Sequence, residues 1–375
     1  MGTQRVFPEW TWIIGFWIGA AIGSFLNVVI YRLPRGLSVS KPKHSFCPSC
    51  NKQLTPGELI PLLSWLLQKG RCSCGKNVVP PRYFFVELIT GTLFAIIWYQ
   101  QLYVGPGPEA FEQANPVKAV GYMLMAAALV AAIFTDLAHY IIPDQVNAAM
   151  LVIGVGMNVA YAVMGNPIAF SGGIPSSILG ALTGIGVLWG IAFLGRILFR
   201  KDAMGHGDIK MARGIGAVLL PVGAMISFGL AVALGAVLGI ILVSVRAQQI
   251  KKLEAKKQAD YEAAVAKAKA EGLPVPPAPS EEEEQDFPPE SIGSLVWCGL
   301  GYVLCIDIIG LYIPSLYERW FGENPYSVEE IDDDAGVELT TIPFGPYLAL
   351  GAIGVMLFEP RLLAMVNDYW TALQG

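Results

Sequence analysis

Apolar runs separated by short polar stretches recur from one end of the chain to the other. The runs 10–31, 83–103, 117–135, 145–164, 176–198, 211 to about 228, 230–245 and a last one ending near 358 lie close to the roughly 20 residues that carry a helix across a bilayer. This alternation predicts an all-α polytopic membrane protein with about eight transmembrane helices. Residues 1–8 carry only Arg5 and precede no small-residue cleavage site, so 10–31 reads as an uncleaved first span. Its small residues at 19, 20, 23 and 24 suit close helix packing, and Ser24 and Asn27 read as polar packing groups.

The polar stretches give orientation and domains. Segment 32–82 holds Lys or Arg at 32, 35, 41, 43, 52, 69, 71, 76 and 82 against the single acid Glu58. Such a basic loop belongs on the cytoplasmic side, which puts the N-terminus outside. Within it, Cys47 and Cys50, then Cys72 and Cys74, form two pairs. In a reducing compartment they read as a small cysteine lobe that binds zinc, the other reading being free thiols or a site that has lost its metal, because the second pair is one residue tighter than the usual spacing. The resulting division is 1–31 first span, 32–82 tetra-Cys lobe, 83–245 membrane core, 246–341 insertion, and 342–375 last span with an interfacial tail. In the insertion, 246–271 is Ala/Lys/Glu-rich and reads as a solvated helix, 273–290 as a Pro-rich acidic linker, and 292–312 as an apolar segment. A single crossing by 292–312 would leave 343–346 on the wrong side. A re-entrant, interfacial or protein-packed path is therefore expected.

Two carboxylates stand where the apolar pattern breaks. Asp208 lies in Gly205-His206-Gly207-Asp208-Ile209-Lys210, ahead of the run from 211. Asp136 closes the run 117–135, and Pro143 and Asp144 follow it. The alternation of spans brings both to the cytoplasmic side. An ionisable group at the edge of a membrane segment is costly and marks a functional site. Two carboxylates held close share one proton, so one activates water while the other polarises a carbonyl. Gly205 and Gly207 permit close approach of backbone. The other readings are an interfacial cap for each Asp, a proton-coupled transporter using both, or an assembly protein that binds without cutting. Lys210 either tunes Asp208 or snorkels to the interface, the second being preferred.

Composition narrows this further. The chain of 375 residues is 54% hydrophobic and 15% charged, with a mean hydropathy of +0.51, which excludes an ordinary soluble domain. The net charge of −5 is split into blocks and points to no nucleic-acid partner. Cys298 and Cys305, in an apolar segment, read as packing residues. The polar loop shows no glycine-rich nucleotide fingerprint.

The chain resembles the type IV prepilin peptidases, bifunctional leader peptidase/N-methyltransferases of pilus and type II secretion systems. The resemblance rests on 23–34, the cysteine loop, 61–65, Asp136 with 142–144, 205–210 and 343–346. It implies that Asp136 and Asp208 are a catalytic pair of the Gly-x-Gly-Asp aspartic protease type, and that Asp144 and Lys210 support them. His206 falls on a variable position. It implies cleavage of the basic leader of prepilins and pseudopilins after a glycine on the cytoplasmic side. It further implies N-methylation of the new terminus with S-adenosylmethionine, whose binding residues it does not identify.

Overall fold

The computed structural model describes residues 9–42, 44–47, 50, 52–75, 78–103, 115–200, 204–271, 291–326 and 343–374. The expected external acidic loop 105–113, the linker 273–290 and the acidic run 329–334 lie outside the described residues. So do the side chains of Tyr369 and Trp370 in the expected interfacial tail.

The protein is a helical membrane bundle. Six helices among the described residues are long and apolar enough to span, Trp12–Arg32, Arg82–Leu102, Pro116–His139, Asp144–Val163, Ser176–Phe199 and His206–Ile240. Gly345–Glu359 is a shorter apolar helix. Large apolar side chains such as Trp17, Phe25, Phe85, Val152 and Val159 point outward, as lipid-facing residues do.

Helices α1 (Trp12–Arg32) and α2 (Arg82–Trp98) pack antiparallel. The contact is set by glycines four residues apart: a Cβ at Gly15 would meet Trp98, at Gly19 Phe94, and at Gly23 the Glu87 backbone. Helix α3 (Pro116–His139) is the most buried of the spans. Asn115, just before it, donates its backbone N–H to Gln101 O at the far end of α2, so Asp136 at its other end lies at the level of the cysteine lobe. Tyr140 ends α3 in a left-handed conformation (φ 55°), and after Pro143 the chain starts α4 (Asp144–Val163). A two-residue hairpin, β1 (Phe170–Ser171) with β2 (Ile174–Pro175), turns on Gly172 and Gly173, both at positive φ, and leads into α5 (Ser176–Phe199).

Helix α6 (His206–Glu271) carries Asp208 and breaks inside the bundle. Leu220 has φ 61° and ψ 174°, and Pro221 follows. Proline removes a helical N–H and disfavours the α region for the residue before it. Contacts on either side show that the chain reverses there. Residues 207, 214 and 217 advance along α4 beside Asn147, Met150 and Gly154. Residues 223, 227 and 235 then run back along α10 (Gly345–Gln374), beside Val355, Gly351 and Tyr347. The outward and returning limbs were expected, but with their turn near 228–230. The structure moves the turn to Leu220–Pro221, because Pro221, not the later Gly229, interrupts the hydrogen-bond ladder. The outward limb, 206–219, is therefore only about 21 Å long, short of the ~30 Å hydrocarbon layer. The returning limb runs unbroken across 245/246 into the Ala/Lys/Glu-rich segment, which is one helix with it.

Segment 291–326 does not form one crossing helix. It folds as α7 (Ile292–Val303), α8 (Ile306–Gly310) and α9 (Pro314–Phe321), broken at Cys305 in a left-handed conformation. Trp297 and Trp320 stack at 4.2 Å between ring centroids. Trp189 of α5 donates its indole N–H to Leu295 O (3.1 Å) and lies over Gly299. The segment is thus packed against protein, on α5 and the outward limb of α6.

Candidate active site

Asp136 sits in the last turn of α3, 5% exposed. Asp208 sits in the first turn of α6, where helical N–H groups lack intrahelical partners. The two carboxylates lie close enough for the charge of Asp136 to act on Asp208. The backbone of Gly205 hydrogen-bonds Asp208, and the backbone of Gly345 hydrogen-bonds Asp136. A Cβ on Gly345 would collide with the Asp136 carboxylate and with Ile142. Ile142 also lies 3.4 Å from where a Cβ on Gly207 would stand, so one side chain closes the gap between α6 and α10 beside the acids. The Pro343–Pro346 segment, which the sequence matched without giving it a task, thus supplies the backbone that faces Asp136.

The neighbouring polar residues fall into two networks. Asp144, at the start of α4, accepts from Lys210 Nζ (2.8 and 3.0 Å) and from the Tyr317 hydroxyl (2.7 Å). Lys210 is 6% exposed, held by this pair and flanked by the rings of Tyr302, Tyr317 and Phe321, which lie 5.2–5.8 Å from the ammonium, so it turns into the protein and does not snorkel to the interface. Burial and the charge of Asp144 push the Tyr317 phenol above its ordinary pKa, so it remains a donor.

One turn further along α6, Arg213 makes a bidentate pair with Asp307 (2.9 and 2.5 Å) and donates to Tyr302 O (2.7 Å). Arg213 and Asp307 are each 1% exposed. His206 meets the Tyr302 hydroxyl at 2.8 Å. Tyr302, Asp307 and Tyr317 all come from the insertion, and the sequence reading named none of them. The available signal was a lone Asp inside an apolar segment, together with an unpaired Arg inside a span.

The cysteine lobe forms two knuckles. One is closed by the bridge Phe46–Gln53 around Cys47 and Cys50, the other by Arg71–Val78 around Cys72 and Cys74. The sulfurs of Cys47, Cys50 and Cys72 lie within 4.8 Å of one another and could hold a metal ion. The short second pair is accommodated by Gly75 at φ 76°, whose N–H bonds Cys72 O at 2.8 Å. Cys74 lies beside Cys72 but outside the three-sulfur group. The backbone N–H of Cys74 favours the Cys72 thiolate, yet burial and the three neighbouring thiols outweigh it and push Cys72 up to about 12. A bound cation would reverse that balance by deprotonating its ligands, so crowded, unbridged sulfurs, with Cys47 and Cys72 buried, fit a metal site. Glu58 ties the knuckles together: hydrogen bonds from Ser73 and from the Thr55 backbone and hydroxyl, with Lys52 nearby, hold its carboxylate down at about 2.

Residues 17–101 match the Bacterial Peptidase A24 N-terminal domain, and residues 123–240 match the Type IV leader peptidase family. A prepilin leader peptidase/N-methyltransferase of Klebsiella pneumoniae is 32% identical over 210 residues, 54% of this chain and 83% of the relative. One of Aeromonas salmonicida is 33% identical over 261 residues, 62% and 81% of the two chains. One of Myxococcus xanthus is 28% identical over 363 residues, 92% of this chain and 90% of its own. No solved structure matches the chain. The two matched segments contain the cysteine lobe and both acids, and the chain belongs to the type IV leader peptidase family, among the bacterial prepilin leader peptidase/N-methyltransferases.

Proposed function

We propose that this multi-pass membrane protein is an aspartic endopeptidase that removes the basic leader of type IV prepilins and pseudopilins after a glycine, and then N-methylates the new terminus. The observation that carries the protease is the approach of Asp136 and Asp208 from two helices 72 positions apart in sequence, at the level of the lobe. In this reading the lobe end faces the cytoplasm of a bacterial inner membrane, and the N-terminus lies outside.

The reaction follows from the pair. A water bound between the acids gives a proton to the ionised carboxylate as its oxygen adds to the scissile carbonyl, and the protonated carboxyl donates to the carbonyl oxygen. Collapse of the tetrahedral adduct breaks the C–N bond, and the proton taken from water passes to the leaving amine. The backbones of Gly205 and Gly345 fix the two acids, while Asp144 and Lys210 support the start of α4 and α6 beside them. Zinc would be held by Cys47, Cys50 and Cys72, with Cys74 adjacent. It would cross-link a lobe too small for a large core. S-Adenosylmethionine supplies the methyl group for the second step.

Purified protein incubated with a synthetic prepilin should yield a product lighter by the leader mass, and heavier by one methyl when S-adenosylmethionine is added. Asp136→Asn and Asp208→Asn should each lower cleavage by ~10²-fold or more, given the 10²–10⁴ that a positioned acid or base contributes. Cleavage at the wild-type rate by either folded variant would defeat the assignment.

A further inference from the structure

We infer that segment 291–326 is a latch that sets the rotation of α6 about its own axis, with Tyr302 and Tyr317 as positioning residues for Asp208, an inference that rests on the protease reading above. Successive residues of a helix stand about 100° apart around its axis. His206, Lys210 and Arg213 therefore form one stripe about 60° wide, and Asp208 stands about 140–160° from each of them. Every member of the stripe is held by the segment. His206 meets the Tyr302 hydroxyl (2.8 Å), Lys210 donates to the Tyr317 hydroxyl (3.3 Å), and Arg213 donates to the Asp307 carboxylate and the Tyr302 carbonyl. A hold on this face fixes the direction in which Asp208 points on the other, toward Asp136.

The limb 206–219 needs such a hold. No straight helix continues from either end to fix its rotation: Gly205 precedes it, and the break at Leu220–Pro221 ends it. Against α5 it packs backbone on backbone, Gly216 on Gly180 and Ala212 on Gly184, so no side chain is wedged there to resist a turn. At a radius of about 5–6 Å, a turn of about 10° moves a side chain by about 1 Å. A misplacement of that size can cost about 10²-fold in rate. The two hydroxyls are themselves rigidly set. Tyr302 is 2% and Tyr317 6% exposed, and their rings lie 5.6 and 4.7 Å from that of Phe321. A Cβ on Gly310 would strike the Tyr317 ring. The Tyr317 hydroxyl also donates to Asp144 (2.7 Å), which closes a ring of three partners with Lys210. Phenylalanine would fill the same space, so the hydroxyls and not the rings carry the latch.

The test compares full-length proteins in lipid nanodiscs cutting a synthetic prepilin. Tyr302→Phe with Tyr317→Phe should lower kcat at least tenfold and leave KM within threefold of wild type, because the reacting acid is misplaced while substrate contacts remain. Tyr317→Phe alone should lower kcat at least threefold, and it carries the test if the double variant does not fold. Trp297→Leu opens the Trp297–Trp320 stack inside the segment without touching the stripe. It should lower the melting temperature and leave kcat within twofold of wild type. A kcat within twofold of wild type in the tyrosine variants would overturn the latch, as would an equal fall in Trp297→Leu, and either result leaves the protease reading intact. A wild-type protein that leaves the prepilin uncut would overturn the protease reading and the latch together.

Discussion

Gly345 is the residue whose side chain matters most by being absent. A methyl group there would strike both the Asp136 carboxylate and the neighbouring Ile142. Gly345→Ala should lower the cleavage rate at least ~10-fold and the stability by about 1–3 kcal/mol, since the added methyl forces its neighbours to shift and a small displacement of a reacting group is costly to rate. The cleavage assay and a thermal scan check both halves. Glu58 acts by its charge instead. Its pKa falls from 4.5 unfolded to about 2 folded, so the stabilisation is fully present above about 4.5 and is lost as pH falls through about 2. Glu58→Gln should therefore melt below wild type at pH 7, and the difference should shrink between pH 4.5 and 2. A constant difference across that window would show that the carboxylate does not act through its charge. Asp136, Asp208 and the cysteines were legible because carboxylates and thiols are rare in apolar or basic surroundings. Gly345 was not, because its importance lies in what stands opposite it.

At the scale of elements, the break in α6 decides where Asp208 lies. Leu220 sits in a region essentially confined to glycine, at a cost of about 1–3 kcal/mol. Leu220→Gly should therefore raise the unfolding free energy by about 1 kcal/mol net, relief of strain outweighing the lost side chain. Pro221→Ala should lower it by permitting a straight helix that the returning contacts with α10 forbid. Opposite signs for the two, read by chemical or thermal unfolding, are the expected result. The proline was visible in the sequence. Hydropathy masked its effect, because the apolar run continues on both sides of it without interruption.

At the scale of the molecule, segment 291–326 and the core pack together around Arg213. Asp307→Asn leaves a buried guanidinium without its counter-charge and should cost about 3–5 kcal/mol. The double replacement Arg213→Met with Asp307→Leu should recover most of that stability, because an apolar pair of similar volume avoids the desolvation penalty. Denaturation of the three proteins checks this. If the single and double variants unfold alike, the ion pair is not what joins the segments. The carbonyl of Tyr302, also bound to Arg213, and the Tyr302 hydroxyl, on His206, join the same segment to the start of the helix bearing Asp208.

The spans, the lobe and the positions of both acids were written in the sequence, because burial of apolar side chains in lipid and the rarity of charge there act locally along the chain. That both acids emerge at the same end of the bundle followed from counting those alternations. Which groups meet was settled only by the tertiary structure: Lys210 with Asp144, Arg213 with Asp307, and Gly345 with Asp136. Each is a contact between segments remote in sequence, made where desolvation forces a buried charge or dipole to find a partner, and hydropathy alone carries no information about that partner's place in the chain.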